Sequence, residues 1–192
     1  IVTRDTKYPG NSDLSIISLN TGDNFVVDVP RTDSLILCDG TLQSVYIFTH
    51  NYPSMGTYIL SFTDTNYAGG FINFQNSLIS PFRLESIFLN NTFTYGNQSP
   101  YFFAHPPVCT KTDTILKFNL TPIDTDSLSF GLIDLDGPDS NQYFIPVGMT
   151  INNVSGEIIW NTPQQPGVFL LGISTSEWRN QILLGSVNQI FQ

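Results

Sequence analysis

The sequence predicts an all-β protein organised as two tandem β-sandwich domains, and three observations carry that expectation. No run of ten residues combines good helix formers with an apolar i, i+3, i+4, i+7 stripe. Short alternating or apolar runs recur instead between clusters of Gly, Pro, Asn and Asp, the pattern of a sandwich. The chain is 41% apolar and 13% aromatic, with fifteen Phe and eight Tyr; aromatic and β-branched side chains suit a pleated, half-buried surface. At 192 residues there is room for one or two domains.

Strands are expected in the first half at Ser15–Leu19, Asn24–Val29, Ser34–Cys38, Ser44–Phe48, Gly56–Thr63, Gly70–Phe74 and Phe82–Leu89. Breakers separate them, and Asp39-Gly40 suits a tight hairpin because both residues tolerate positive φ. The second half reads as strands at Tyr101–Phe103, Thr114–Leu120, Leu128–Ile133, Met149–Asn152, Glu157–Trp160, Gly167–Thr175 and Ile182–Phe191. Asn153-Val154-Ser155-Gly156 reads as a hairpin turn, and Trp160 as a core residue.

Polar breakers at Asn90-Asn91-Thr92 and at Gly96 to Pro100 place a boundary near residues 89–100, giving domains of 1–91 and 92–192 joined by a short, stiff connection. The two halves also echo one another. His50 to Phe62 and Thr162 to Ile173 each carry a proline-containing turn, then Gly, any residue, an aromatic and an alternating strand. Equivalent strands one domain-length apart are the mark of related modules.

Charge narrows the function classes. Net charge is −9 and the pI is near 4.2, with only 12% charged residues against an ordinary ~25%. Seven scattered Lys and Arg form no basic patch, so nucleic acid is not an expected partner, nor is an anionic membrane surface. No apolar stretch approaches the ~20 residues of a membrane span. Ile1 opens directly into ordinary sequence, so the chain reads as a processed product or a piece of a longer one. Cys38 and Cys109 lack zinc or redox spacing; one disulfide and two buried thiols remain equal readings. The two histidines, His50 and His105, have no nucleophile motif nearby, and His50 is expected to bond locally.

His50-x-Tyr52-x₃-Gly56-Thr57-Tyr58 resembles the penultimate strand of PKD-type immunoglobulin-like modules. Asp124-Thr125-Asp126-Ser127-Leu128, Gly148 to Trp160, and Pro163 to Val187 resemble cadherin-like and putative-Ig repeats of large secreted surface proteins of Bacteroidetes, many of them associated with gliding motility or sorting. The resemblance implies two immunoglobulin-like sandwiches, an extracellular or cell-surface location, and adjacent modules of the same polypeptide as partners. In such folds Tyr58 would lock a corner through its hydroxyl, whereas Phe169 can only pack.

Calcium is the cofactor argued from these residues. Asp124 and Asp126 set two carboxylates on one turn, Asp134 and Asp136 follow close in sequence, and Ca²⁺ prefers such oxygens. Cadherin-like repeats use an Asp-x-Asp turn at a module junction in this way. The usual acidic continuation is missing, because Ser127 and Leu128 follow directly, and a solvated acidic turn is the competing reading. Trp178 and Arg179, at the expected last hairpin, are the candidates for contact with a surface glycan or protein; packing over the sandwich edge competes with that. The expectation is therefore a non-catalytic stalk or adhesion module, with a carbohydrate- or protein-binding accessory module of a secreted enzyme as the alternative.

Overall fold

The computed structural model of the chain describes residues 2–6, 14–36, 42–65, 67, 69–94, 97–102, 112–135, 142–161 and 163–191. Among these the chain forms β1 (Val2–Thr6), β2 (Ile16–Asn20), β3 (Val26–Ile36), β4 (Leu42–Tyr46), β5 (Gly56–Asp64), β6 (Phe82–Asn90) and β7 (Tyr101–Phe102). It continues with β8 (Leu116–Asn119), β9 (Pro122–Ile123), β10 (Ser127–Ile133), β11 (Met149–Ile151), β12 (Glu157–Trp160), β13 (Leu171–Arg179) and β14 (Ile182–Phe191). The only helical turns described are two of 3₁₀ type, Ser77–Ile79 and Thr92–Thr94. The protein is all-β and sandwich-like, as its composition predicts.

Nine strands form one sheet in the order β1-β4-β3-β2-β5-β6-β14-β13-β10, with a three-stranded sheet β11-β12-β8 and a small pair β7-β9 beside it. β3 is longer than expected. Pro30 and the polar Arg31-Thr32-Asp33 look like a break between two strands, but a bulge between Arg31 and Asp33 absorbs them. β3 pairs with β2 from Val26 to Pro30 and with β4 from Arg31 to Ile36. A bulged strand bends and twists more strongly, so the sheet turns where β3 passes from β2 to β4. β1 and β9 were not legible in the sequence. Cys38, Cys109, His105 and the Asp39-Gly40 turn lie outside the described residues.

Among the described residues the core has three parts. Ile17, Leu19, Val29, Tyr46 and Phe62 pack together in the first half. Leu120, Phe130, Ile158, Leu171 and Ile173 pack where the β8–β12–β11 layer covers β10 and β13. Between them Tyr67, Phe71 and Phe74 meet Tyr143 and Leu170, so this middle cluster draws on both sides of residue 91. The sheet also runs on past that point, because β6 pairs with β14 through Ser86↔Val187, Ile87↔Ser186 and Phe88↔Gly185.

Two sequence expectations fail at this joint. Gly70–Phe74 is not a strand: it is a turn-rich segment touching the rest through single bridges, Phe71 to Val168 and Phe74 to Tyr143. The strand expected from Gly167 begins only at Leu171. A side chain does the pairing instead. The Asn73 amide nitrogen donates to the carbonyls of Leu170 (2.8 Å) and Phe144 (2.9 Å). Its amide oxygen accepts from the Leu170 N–H at 2.9 Å. Asn73 is fully buried and thus imitates a ladder residue where the backbone turns away.

Backbones approach closely along the same seam. A Cβ on Gly185 would lie 2.5 Å from the Ile87 carbonyl oxygen. Gly185→Ala is therefore expected to cost roughly 1–3 kcal/mol in urea unfolding, because the clash is with backbone that cannot rotate aside. One strand further in, Tyr58 stands opposite Phe88, and its hydroxyl donates to the Ser54 carbonyl at 2.8 Å, the kind of bond expected of it.

Candidate functional site

β13 alternates, with Leu171, Ile173, Thr175 and Glu177 all buried on the inner face. The first two fill the core, but the last position is a carboxylate only 1% exposed. The β10–β13 register sets Leu128 opposite Glu177 and Ser127 opposite Trp178, which brings the turn before β10 alongside the end of β13. Asp124, Asp126 and Glu177 thereby converge, with a carboxylate oxygen of each within 4.8 Å of the others.

Neighbours shape this cluster. The Asp126 N–H donates to Asp124 Oδ1 at 2.8 Å, the local turn bond typical of aspartate. Arg179 grips Asp126 with two donors, Nε to Oδ1 at 2.8 Å and Nη2 to Oδ2 at 2.7 Å. Its Nη2 also donates to Asn97 Oδ1 at 3.0 Å, and its Nη1 to the Phe93 carbonyl at 3.1 Å. Asn97 in turn donates to Glu177 Oε2 at 3.0 Å. Residues 93 and 97 of the connection between the halves are thus tied to the last strands by one arginine and one amide.

The charge does not balance. One guanidinium faces three carboxylates, and Asp124 Oδ2 and Glu177 Oε1 are buried without a hydrogen-bond partner. Burial pushes Glu177 up to about 7, against the Asn97 hydrogen bond and with help from the charges of Asp124 and Asp126. Asp126 moves the other way, held below its ordinary value chiefly by the Arg179 hydrogen bonds. Two species satisfy such a site: a proton on Glu177, or a hard cation taking the free carboxylate oxygens.

The sequence expectations divide here. Asp124 and Asp126 are brought together with Arg179. Asp134 stands beyond the far end of β10, roughly 25 Å away at ~3.3 Å per residue, and does not join them. Asp136 lies outside the described residues. Arg179 pairs with Asp126, on the turn that precedes β10. Glu177 and Asn97 were missed as members of the cluster. The legible signal for Glu177 was its parity, a carboxylate in step with Leu171, Ile173 and Thr175; nothing in the sequence marked Asn97.

Trp178 faces the opposite side of β13 from this cluster. Its indole N–H donates to Ser129 Oγ at 2.8 Å. It lines an open depression of about 450 Å³ with Ser127, Ser129, Asn153, Asn180 and Gln181. Trp160, by contrast, is buried edge-on against Phe169, as a core residue should be.

A second polar group lies in the first half. His50 Nε2 is 2.8 Å from Asp23 Oδ2, and Thr21 donates to the same carboxylate. These bonds, Thr21's first, hold Asp23 below its ordinary value. The expected local bond of His50 is thus a distant one, and its ring is fixed between Phe25 and Tyr52. No helix among the described residues is long and apolar enough to cross a membrane. Comparison with protein-family models, with curated proteins and with solved structures found no match to this chain.

Proposed function

We propose that the chain is a non-catalytic structural or adhesion module of a secreted or cell-surface protein, holding its loops at fixed separation. The observation that supports this most is the seam between the halves. A sheet that continues through β6 and β14, with Asn73 buried across the joint, gives a stiff body rather than two beads on a hinge. Inter-domain motion is the ordinary expectation unless the contact between the parts is large and apolar; here the middle core cluster supplies an apolar contact beside the shared sheet.

The finer reading is that 1–91 and 92–192 are immunoglobulin-like modules of the PKD and cadherin-like kinds, from a surface protein of the Bacteroidetes type. The Tyr58 hydroxyl bond, the separate core cluster of the first half and the two-layered packing of the second half support it. Surface biotinylation tests the function directly. A membrane-impermeant reagent applied to intact cells that make the parent protein is expected to label it. Labelling only after lysis would remove the reading.

A further inference from the structure

The outer face at the β13–β14 hairpin has the chemistry of a sugar site. Among the described residues the depression beside Trp178 is lined by two hydroxyls, three primary amides and one indole, with no ionisable group. Its size of about 450 Å³ falls within the ~300–1,000 Å³ of small-molecule sites. Primary amides and hydroxyls offer donors and acceptors side by side, the match for a ligand whose own groups are hydroxyls. The indole presents an apolar ring beside them, the match for the C–H face of a pyranose. The hydrogen bond to Ser129 fixes that ring before any ligand arrives, which lowers the entropic cost of binding. The side-chain amides of Asn153, Asn180 and Gln181 make no hydrogen bond with any described residue.

The hairpin backbone gives an independent sign. Asn180 and Gln181 form its two-residue turn with φ of 51° and 67°. Asparagine suits the first position, but the second ordinarily takes glycine. A long side chain held there is strained, and strain that persists points to a use for the side chain that causes it. Gln181 is one of the groups that line the depression.

We propose that this face binds a neutral saccharide, Trp178 stacking on a pyranose ring while Ser127, Asn153, Asn180 and Gln181 hydrogen-bond its hydroxyls. The proposal deepens the adhesion reading, on which it rests, by naming the ligand class. It fails separately: a protein labelled on intact cells that binds no sugar keeps the first and loses the second.

The test is an NMR titration of the full chain, whose two tryptophans supply a reporter and an internal control. Linear neutral oligosaccharides form one arm, and neutral glycans released from a glycoprotein form the other, so that polysaccharide and protein-linked sources are told apart. The expected result is a saturable shift of the Trp178 indole N–H in at least one arm, with the buried Trp160 unmoved. Trp178→Ala should weaken binding at least ~10-fold. Gln181→Gly, which relieves the turn, should raise the unfolding midpoint and weaken binding about fivefold, as for the loss of one hydrogen bond. No shift with any neutral saccharide at millimolar concentration overturns the proposal, as does a response confined to sulfated or uronic-acid sugars. Unchanged affinity in Gln181→Gly also overturns it.

Discussion

Asn73→Ala will destabilise the protein by roughly 3–5 kcal/mol, the range of the most damaging single substitutions. The magnitude follows from what is left behind. Two carbonyls, of Leu170 and Phe144, and one N–H, of Leu170, lose their partner at a fully buried position. Each abandoned group costs about 1–3 kcal/mol, and water entering the cavity recovers part of it. Asn73→Asp is expected to be at least as damaging. A carboxylate can accept from the Leu170 N–H but has nothing to donate to two carbonyls, and it must bury a charge besides. Urea unfolding of the three proteins measures this. A cost under about 1 kcal/mol for Asn73→Ala would mean that the side-chain ladder does not hold the joint.

Why this joint was invisible in the sequence is a matter of period. Strands that alternate declare themselves, and β5, β6, β10, β12 and β14 were located within a few residues of where they stand. Phe71, Phe74 and their neighbours carry the aromatic content of a strand, so Gly70–Phe74 reads as one. Its partner contacts are single bridges and an amide, which leave no repeat to detect. The same limit applies to the cluster beside β13. The Asp-x-Asp turn and the Trp-Arg pair are local features and were legible. That Asp126 meets Arg179, and that Asn97 spans Arg179 and Glu177, depends on strand register and on the path of the connection. Asp134 misled for the same reason, since closeness in sequence along a strand means separation in space.

Glu177→Gln gives the second large effect, and its sign depends on pH. In the wild type the folded-state value of Glu177 is raised to about 7, above the ordinary ~4.3 of an unfolded glutamate. The folded state therefore holds this proton more tightly. The stability linked to that proton is fully present below about pH 4 and is lost as pH rises through 7. A shift of this size corresponds to as much as about 3 kcal/mol between the two limits. Glutamine keeps an oxygen for Asn97, offers donors to the neighbouring carboxylates, and does not titrate. The variant should be more stable than wild type at pH 8 by about 2 kcal/mol, and the gap should close on approaching pH 5. Asp126 acts oppositely: its lowered value contributes stability above the ordinary carboxylate range that is lost as pH falls through the folded value. Thermal melts at stepped pH, wild type against variant, show both trends.

Calcium separates the two ways of neutralising this site. If the free oxygens of Asp124 and Glu177 take a cation, millimolar calcium raises the melting temperature of the wild type at pH 8 and leaves Glu177→Gln unmoved, because a ligand of the native state alone must stabilise it. A proton as the sole neutralising species predicts no calcium response in either protein, with the pH dependence intact.

Above all, the proposal holds that the two halves act as one stiff body through β6, β14 and Asn73, and native-state amide exchange probes this strand by strand. The amides of β2 and β5 on one side and of β13 and β14 on the other should exchange with one common opening free energy, equal to that of global unfolding, and Asn73→Ala should lower all of them together. Two distinct opening free energies in the wild type, one for each half, would show instead that the halves open independently and that the seam does not bind them.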